Sequence, residues 1–412
     1  MSAFNPSISS ISKIAFLFLL CISFTLINPV FTILFYTIYL VSSKERLNIL
    51  DTKTSLHILA IGFAAFLGYI NVTKELTSDL YVYYLDFISH DSYSDAPQLI
   101  TIIKDPFFVY GTFLFNKLSA GNFKLYIFGI TFISYLLLFL SYINILYDDS
   151  PREKSHVIAS LIMLLLFFEL FSLSAHLIRY FLAGSLFFYG FSLKQLKKRF
   201  YVVFYLSAIL IHSSVALLIL MSFVPYLHSR GLFFNLLLVI TALLLGFFIS
   251  KIFNFNFGTF SQSLSFLDTP LDRIRHSYII EGDVSVFQTF AALVVCVIVL
   301  AICYLESKYQ VAPRLAILAQ IFFGILAFAI LVNEQLLLAR RLFYYLYFLM
   351  PPMIVLIAKQ IFEKHSLRNL FYCSSICILL LRFIYKYAYG TFQYLPLHDL
   401  VVTPAIVVLL NG

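Results

Sequence analysis

The chain has little charge, no tryptophan, few glycines and few cysteines, and each shortage narrows what it can be. Of its 412 residues only 12% are Asp, Glu, Lys or Arg, against 61% hydrophobic. A soluble domain averages about a quarter charged and about half apolar, and could not hide this much apolar surface from water. The composition therefore excludes a soluble globular protein and predicts an all-α polytopic membrane protein.

The five cysteines, Cys21, Cys296, Cys303, Cys373 and Cys377, lie within apolar runs and form no CxxC pair, so no disulfide framework is expected and packing as small hydrophobes accounts for them. The 14 glycines are isolated, as at Gly184 and Gly190, which excludes a phosphate-binding loop. There is no HExxH, no paired HxxxH and no DxD at an outer membrane exit, so neither a metal nor any other cofactor is expected. Asp148-Asp149 sits beside Arg152 and Lys154 and reads as a solvated turn. A GxSxG elbow is also missing, which removes the serine-hydrolase reading of His212-Ser213-Ser214.

What the chain has is a series of apolar runs near the length of about 20 residues that crosses a bilayer. They cover roughly 14–41, 55–72, 123–146, 156–173, 176–193, 200–224, 231–250, 286–305, 314–333, 341–358 and 369–386, giving about 10–12 spans in a single multi-pass domain over 1–412. The first run follows Lys13 but is not trailed by a small-residue cleavage pattern, and is expected to be a retained span.

The 28 Lys and Arg against 20 Asp and Glu leave a formal charge of +8. The basic residues fall in short clusters between apolar runs, which is how cytoplasmic loops are marked, so the excess signals orientation in a lipid bilayer and no nucleic-acid partner. Placing Lys44, Arg46 and Lys53, then Lys194 to Arg199, then Lys359, Lys364 and Arg368 in the cytoplasm puts 73–122, 251–285 and 387–412 outside. Span counting conflicts with this unless 200–224 or 231–250 fails to cross. The polar triplet at His212 makes 200–224 the better candidate for a broken or re-entrant segment, because irregular backbone at membrane depth is tolerated only where protein or a wet cavity surrounds it. The outer stretch 73–122 is too polar to span; its tyrosines suit an interfacial helix, with Phe107 to Leu118 dipping into the bilayer.

In this topology Glu169, His176, Arg179, Glu334, Arg340, Arg341 and Arg382 collect at outer ends of spans, where ionisable groups are costly and signal function. On a continuous helix His176 and Arg179 would share a face. The planar fork of Arg179 suits a phosphate or pyrophosphate; its structural alternative is an ion pair with Glu169. Arg340 and Arg341 point about 100° apart on a helix, so one faces the cavity while the other snorkels. The loop cluster Asp268 to His276, with Asp272, Arg273 and Arg275, interleaves both signs and favours a hydroxyl-rich ligand such as a sugar.

The stretches Leu177-Ile178-Arg179-Tyr180-Phe181-Leu182-Ala183, Lys194 to Arg199 and Ile211-His212-Ser213-Ser214-Val215-Ala216-Leu217 resemble the EpsG/Wzy group of bacterial polysaccharide polymerases. Asp79-Leu80-Tyr81 and Lys104-Asp105-Pro106-Phe107-Phe108 are similar to that group as well, while Tyr180 departs from the Gln expected after the Arg. The resemblance implies a glycosyltransferase of the inner membrane that joins undecaprenyl-pyrophosphate-linked oligosaccharide repeat units on its outer side, with a chain-length regulator as an associated protein. On this reading Arg179 and one of Arg340 and Arg341 serve the pyrophosphate, and His176, Arg273 and Arg275 serve the sugars. His212 acts as general base or positions the acceptor, with Asp79 and Asp272 as alternatives. An O-antigen ligase and a lipid-linked oligosaccharide flippase are the rival functions.

Overall fold

A computed structural model of the chain describes residues 27–30, 33, 52–76, 79–89, 106–147, 154–223, 286–308, 311–331, 336–389 and 394–410. Among the described residues every regular element is an α-helix. Four helices are long and apolar enough to cross a bilayer, Lys53–Val72, Phe123–Leu146, Pro313–Ile330 and His365–Tyr389, and the number rises to six if each of two bent helix pairs forms one span. The chain is an all-α multi-pass membrane protein. The expected runs 231–250 and most of 14–41 lie outside the described residues, as does the loop 251–285 with Asp272, Arg273 and Arg275.

The fold separates into two compact units, residues 1–216 with 369–412, and residues 217–368. In the first unit, α1 (Thr52–Val72) packs along α4 (Phe123–Leu146), α4 along α7 (Ile178–Gln195), and α7 along α8 (Tyr201–Ile211). Without lipid-specific hydrophobic gain between helices, close backbone approach has to come from small residues. Gly190 is the clearest case: a Cβ there would stand 2.8 Å from the Tyr205 ring and 3.0 Å from the Phe204 Cβ. Aromatic pairs fill the seams, including Phe63–Phe139 at 5.6 Å, Tyr135–Phe181 at 4.9 Å and Phe187–Tyr205 at 5.5 Å between centroids.

Between α1 and α4 lie two short helices, α2 (Asp79–Ser89) and α3 (Pro106–Leu118). At 11 and 13 residues neither reaches across a bilayer. Tyr81, Val82, Leu85 and Ile88 of α2 and Phe107, Tyr110, Leu114 and Leu118 of α3 are exposed, while Tyr83, Phe87 and Phe108 are buried. Asn122 starts α4 by accepting the Leu125 N–H, and its amide donates to the Leu409 carbonyl at 2.9 Å.

Next come α5 (Lys154–Leu166) and α6 (Phe168–His176), bent by 52° at Phe167. The acidic Glu169 falls in the first turn of α6, where the positive end of the helix favours a carboxylate. After α8 the polar triplet interrupts the helix as its sequence predicts: His212 is extended (φ −157°, ψ 115°), and α9 (Val215–Phe223) begins beyond Ser214.

The second unit holds α10 (Val286–Lys308), α11 (Pro313–Leu331), α12 (Leu336–Tyr347) and α13 (Met350–Ile361). Here α10 packs on α13, and α11 on α12 and α13. The 45° bend between α12 and α13 has its cause in Pro351 and Pro352, which cannot donate to the preceding turn.

The chain then runs through α14 (His365–Tyr389) to the short α15 (Leu397–Val402) and α16 (Ala405–Leu410). In the first unit α14 is tied to α5 by a 2.8 Å hydrogen bond between His156 Nδ1 and the Tyr372 hydroxyl. The terminal segment closes over the ends of α1 and α4: Tyr69 donates to the Thr403 carbonyl at 2.9 Å, buried Asn28 to the Leu400 carbonyl at 2.9 Å, and the Leu395 N–H to Thr73 Oγ1 at 3.4 Å.

Candidate functional site

The helix break at Leu177 organises the polar residues of the first unit. The sequence reading put both His176 and Arg179 in the run 176–193, where a continuous helix would give them one face, yet Leu177 adopts φ −105° and ψ 56°, and α6 ends where α7 begins. The physical reason lies in two side chains from the end of α1. The carbonyls of Ser174 and Ala175 accept from Asn71 Nδ2 at 3.2 Å and from Lys74 Nζ at 3.2 Å. In an unbroken helix those carbonyls would pair with the N–H groups of Ile178 and Arg179. With buried side-chain donors to satisfy them, the chain turns at Leu177 without leaving carbonyls orphaned at membrane depth.

His176 and Arg179 consequently sit on either side of a break instead of on one helical face. Arg179, in the first turn of α7, is half-buried and its guanidinium lies over the rings of Tyr83 at 5.8 Å and Phe108 at 5.6 Å. These rings meet edge to face at 5.9 Å and belong to a buried cluster with Leu80, Phe87, Phe123, Tyr126 and Ile178. Stacking on aromatic faces holds a guanidinium in place while leaving its edge donors directed along the ring plane. Burial pushes the Tyr83 hydroxyl above its ordinary value, and the charge and hydrogen bonding of Arg179 pull it back down.

Glu169 does not serve Arg179. Its Oε1 takes the Arg382 Nε at 2.6 Å and also pairs with Arg382 Nη2, with the carboxylate almost wholly buried. The structural alternative for Arg179 is thus replaced by a different pair, one that staples α6 to α14. Phe168 and Phe171 pack on Phe383 beside it, at 5.8 Å each.

Lys74 is the residue that sequence reasoning missed. It ends the turn after α1, is only 5% exposed, and stands 3.1 Å from His176 Nδ1. Burial lowers its ammonium to about 8, with the nearby Asp79 carboxylate acting in the opposite direction. Nothing local marks Lys74 in the sequence, since its partners lie about a hundred positions away at Ala175 and His176.

His212 joins the same end of the unit through Tyr180, whose ring meets the imidazole edge to face at 5.6 Å and 80°. The position where Tyr replaces the expected Gln therefore touches the candidate histidine directly. The His212 Nδ1 accepts the Ser214 backbone N–H at 3.3 Å and lies 2.8 Å from the Ser214 hydroxyl.

The first unit thus brings together Lys74, Asp79, His176, Arg179 and His212, framed by Tyr83, Phe108 and Tyr180. Asp79 is exposed in the first turn of α2. Arg340 and Arg341 fall on α12 of the second unit, where Arg341 is half-buried. Asp272, Arg273, Arg275 and Glu334 lie outside the described residues. Among the described residues no three His, Cys, Asp or Glu side chains gather at metal-ligand spacing.

No curated protein and no solved structure matches the chain. A family model does, and it runs through both helix breaks and every described member of the site: with residues 56–398 matched to the EpsG family, the chain belongs to that family and is a polysaccharide-polymerase-like membrane protein.

Proposed function

We propose that the chain is a glycosyltransferase that polymerises undecaprenyl-pyrophosphate-linked oligosaccharide repeat units on the outer side of the bacterial inner membrane. The acceptor hydroxyl oxygen bonds to the anomeric carbon of the growing chain, the bond from that carbon to the pyrophosphate oxygen breaks, and the pyrophosphate leaves with the electron pair. The hydroxyl proton passes to a base.

The observation that carries this reading is Arg179, fixed over Tyr83 and Phe108 at a helix break, with Lys74 and His176 beside that break and Glu169 committed to Arg382. A preorganised guanidinium stabilises negative charge developing on a leaving pyrophosphate, and does so most effectively in a water-poor site. No metal is needed for that step. Family membership gives the class of chemistry, and the outer-side placement rests on the basic clusters at Lys194 to Arg199 and Lys359 to Arg368.

Deletion of the gene and examination of surface polysaccharide on a gel tests the reading. Single repeat units on the surface are the expected result. Loss of all surface attachment would mean a ligase, and accumulation of cytoplasm-facing precursor would mean a flippase.

A further inference from the structure

Two histidines border the Arg179 site, and in each the Nδ1 is engaged by a protein group able only to donate. At His176 the neighbour is the Lys74 ammonium at 3.1 Å, which has three N–H donors and no lone pair to offer. At His212 it is the Ser214 backbone N–H at 3.3 Å, joined by the Ser214 hydroxyl at 2.8 Å. One arrangement is tertiary and the other is a local turn, so they are independent. A neutral imidazole whose Nδ1 accepts carries its hydrogen on Nε2. A general base requires the reverse, a lone pair on the ring nitrogen that meets the acceptor hydroxyl.

We propose that His176 and His212 are both held in the Nε2–H tautomer and act in this site as hydrogen-bond donors to ligand oxygens. The proposal rests on the polymerase reading for the identity of the ligand, a sugar or pyrophosphate oxygen, but not for the tautomers. Lys74 is then a positioning residue. With its ammonium lowered only to about 8, it remains a donor at neutral pH.

The test uses the full-length protein in nanodiscs with ¹⁵N-labelled histidine, His176→Gln and His212→Gln serving to assign the ring signals. Both residues should show an unprotonated Nδ1 and a protonated Nε2, and Lys74→Met should shift the His176 signals while leaving those of His212 in place. A protonated Nδ1 at either residue overturns the tautomer assignment, whatever the protein's activity.

Elongation of lipid-linked repeat units supplies the second readout. A Gln amide keeps an N–H donor, so each Gln variant should stay within about tenfold of wild type while each Ala variant falls by about a hundredfold or more, the range of a lost donor in a preorganised site. Gln and Ala variants equally low at His212 would restore it as the base. Wild-type protein that elongates nothing overturns the polymerase reading itself, and the ring signals still decide the tautomers.

Discussion

Arg382 and Arg179 both sit in apolar helices, and their replacement should produce opposite kinds of damage. Arg382 pairs with Glu169, whose side chain is 1% exposed against 13% for Arg382. Removing one partner of such a buried pair leaves an uncompensated charge, which costs about 3–5 kcal/mol, whereas replacing both partners with apolar residues of similar volume is often neutral. Arg382→Leu should therefore destabilise the protein by about that amount, and adding Glu169→Leu should recover most of it. The low dielectric on the α6 and α14 seam, walled by Phe168, Phe171 and Phe383, favours the upper part of the range. Unfolding of the purified protein in detergent, followed by loss of monodisperse protein against temperature or denaturant, measures both variants. A single variant as stable as wild type, or a double variant no better than the single, would refute the assignment of this pair as a buried staple.

Three further outcomes follow from the site. Loss of the Lys74 proton leaves an amine that can accept as well as donate and so no longer fixes the His176 tautomer, and elongation should fall as pH rises through about 8; Lys74→Arg, which stays protonated, should abolish that limb of the pH profile, and an unchanged limb would mean that Lys74 does not position His176. If the topology proposed from the basic clusters is right and 251–285 is outside, a cysteine at Ser263 in a Cys-free background should react with a membrane-impermeant maleimide in intact spheroplasts; labelling only after permeabilisation would overturn that topology. Elongation should proceed in EDTA, and loss on chelation with restoration by Mg²⁺ or Mn²⁺ would mean that acidic residues such as Asp79, Asp268 or Asp272 bind a metal.

The fold class was legible in the sequence because burial in lipid imposes a composition that nothing else requires. The interruption at His212 was legible too, since three consecutive polar residues in an otherwise apolar run need protein or water around them, and a break in the helix provides it. The break at Leu177 was not: Leu-Ile-Arg-Tyr reads as uninterrupted helix, and what ends α6 is supplied by Asn71 and Lys74, about a hundred positions earlier. Glu169 and Arg382 are 213 positions apart, so spacing rules that find partners within a turn or two of helix pointed to Arg179 instead. Arg179 itself was found from its cost in an apolar run, but the Tyr83 and Phe108 rings beneath it came from α2 and α3, elements whose packing no local pattern encodes.

The central claim is that Arg179 holds the departing pyrophosphate, and the direct measurement is elongation by purified protein in nanodiscs supplied with lipid-linked repeat units, wild type against Arg179→Lys. Lysine keeps the charge but not the planar fork, so the variant should accumulate and fold as wild type does yet leave mostly single units. Full-length polymer from the Lys variant at normal protein level would contradict the claim.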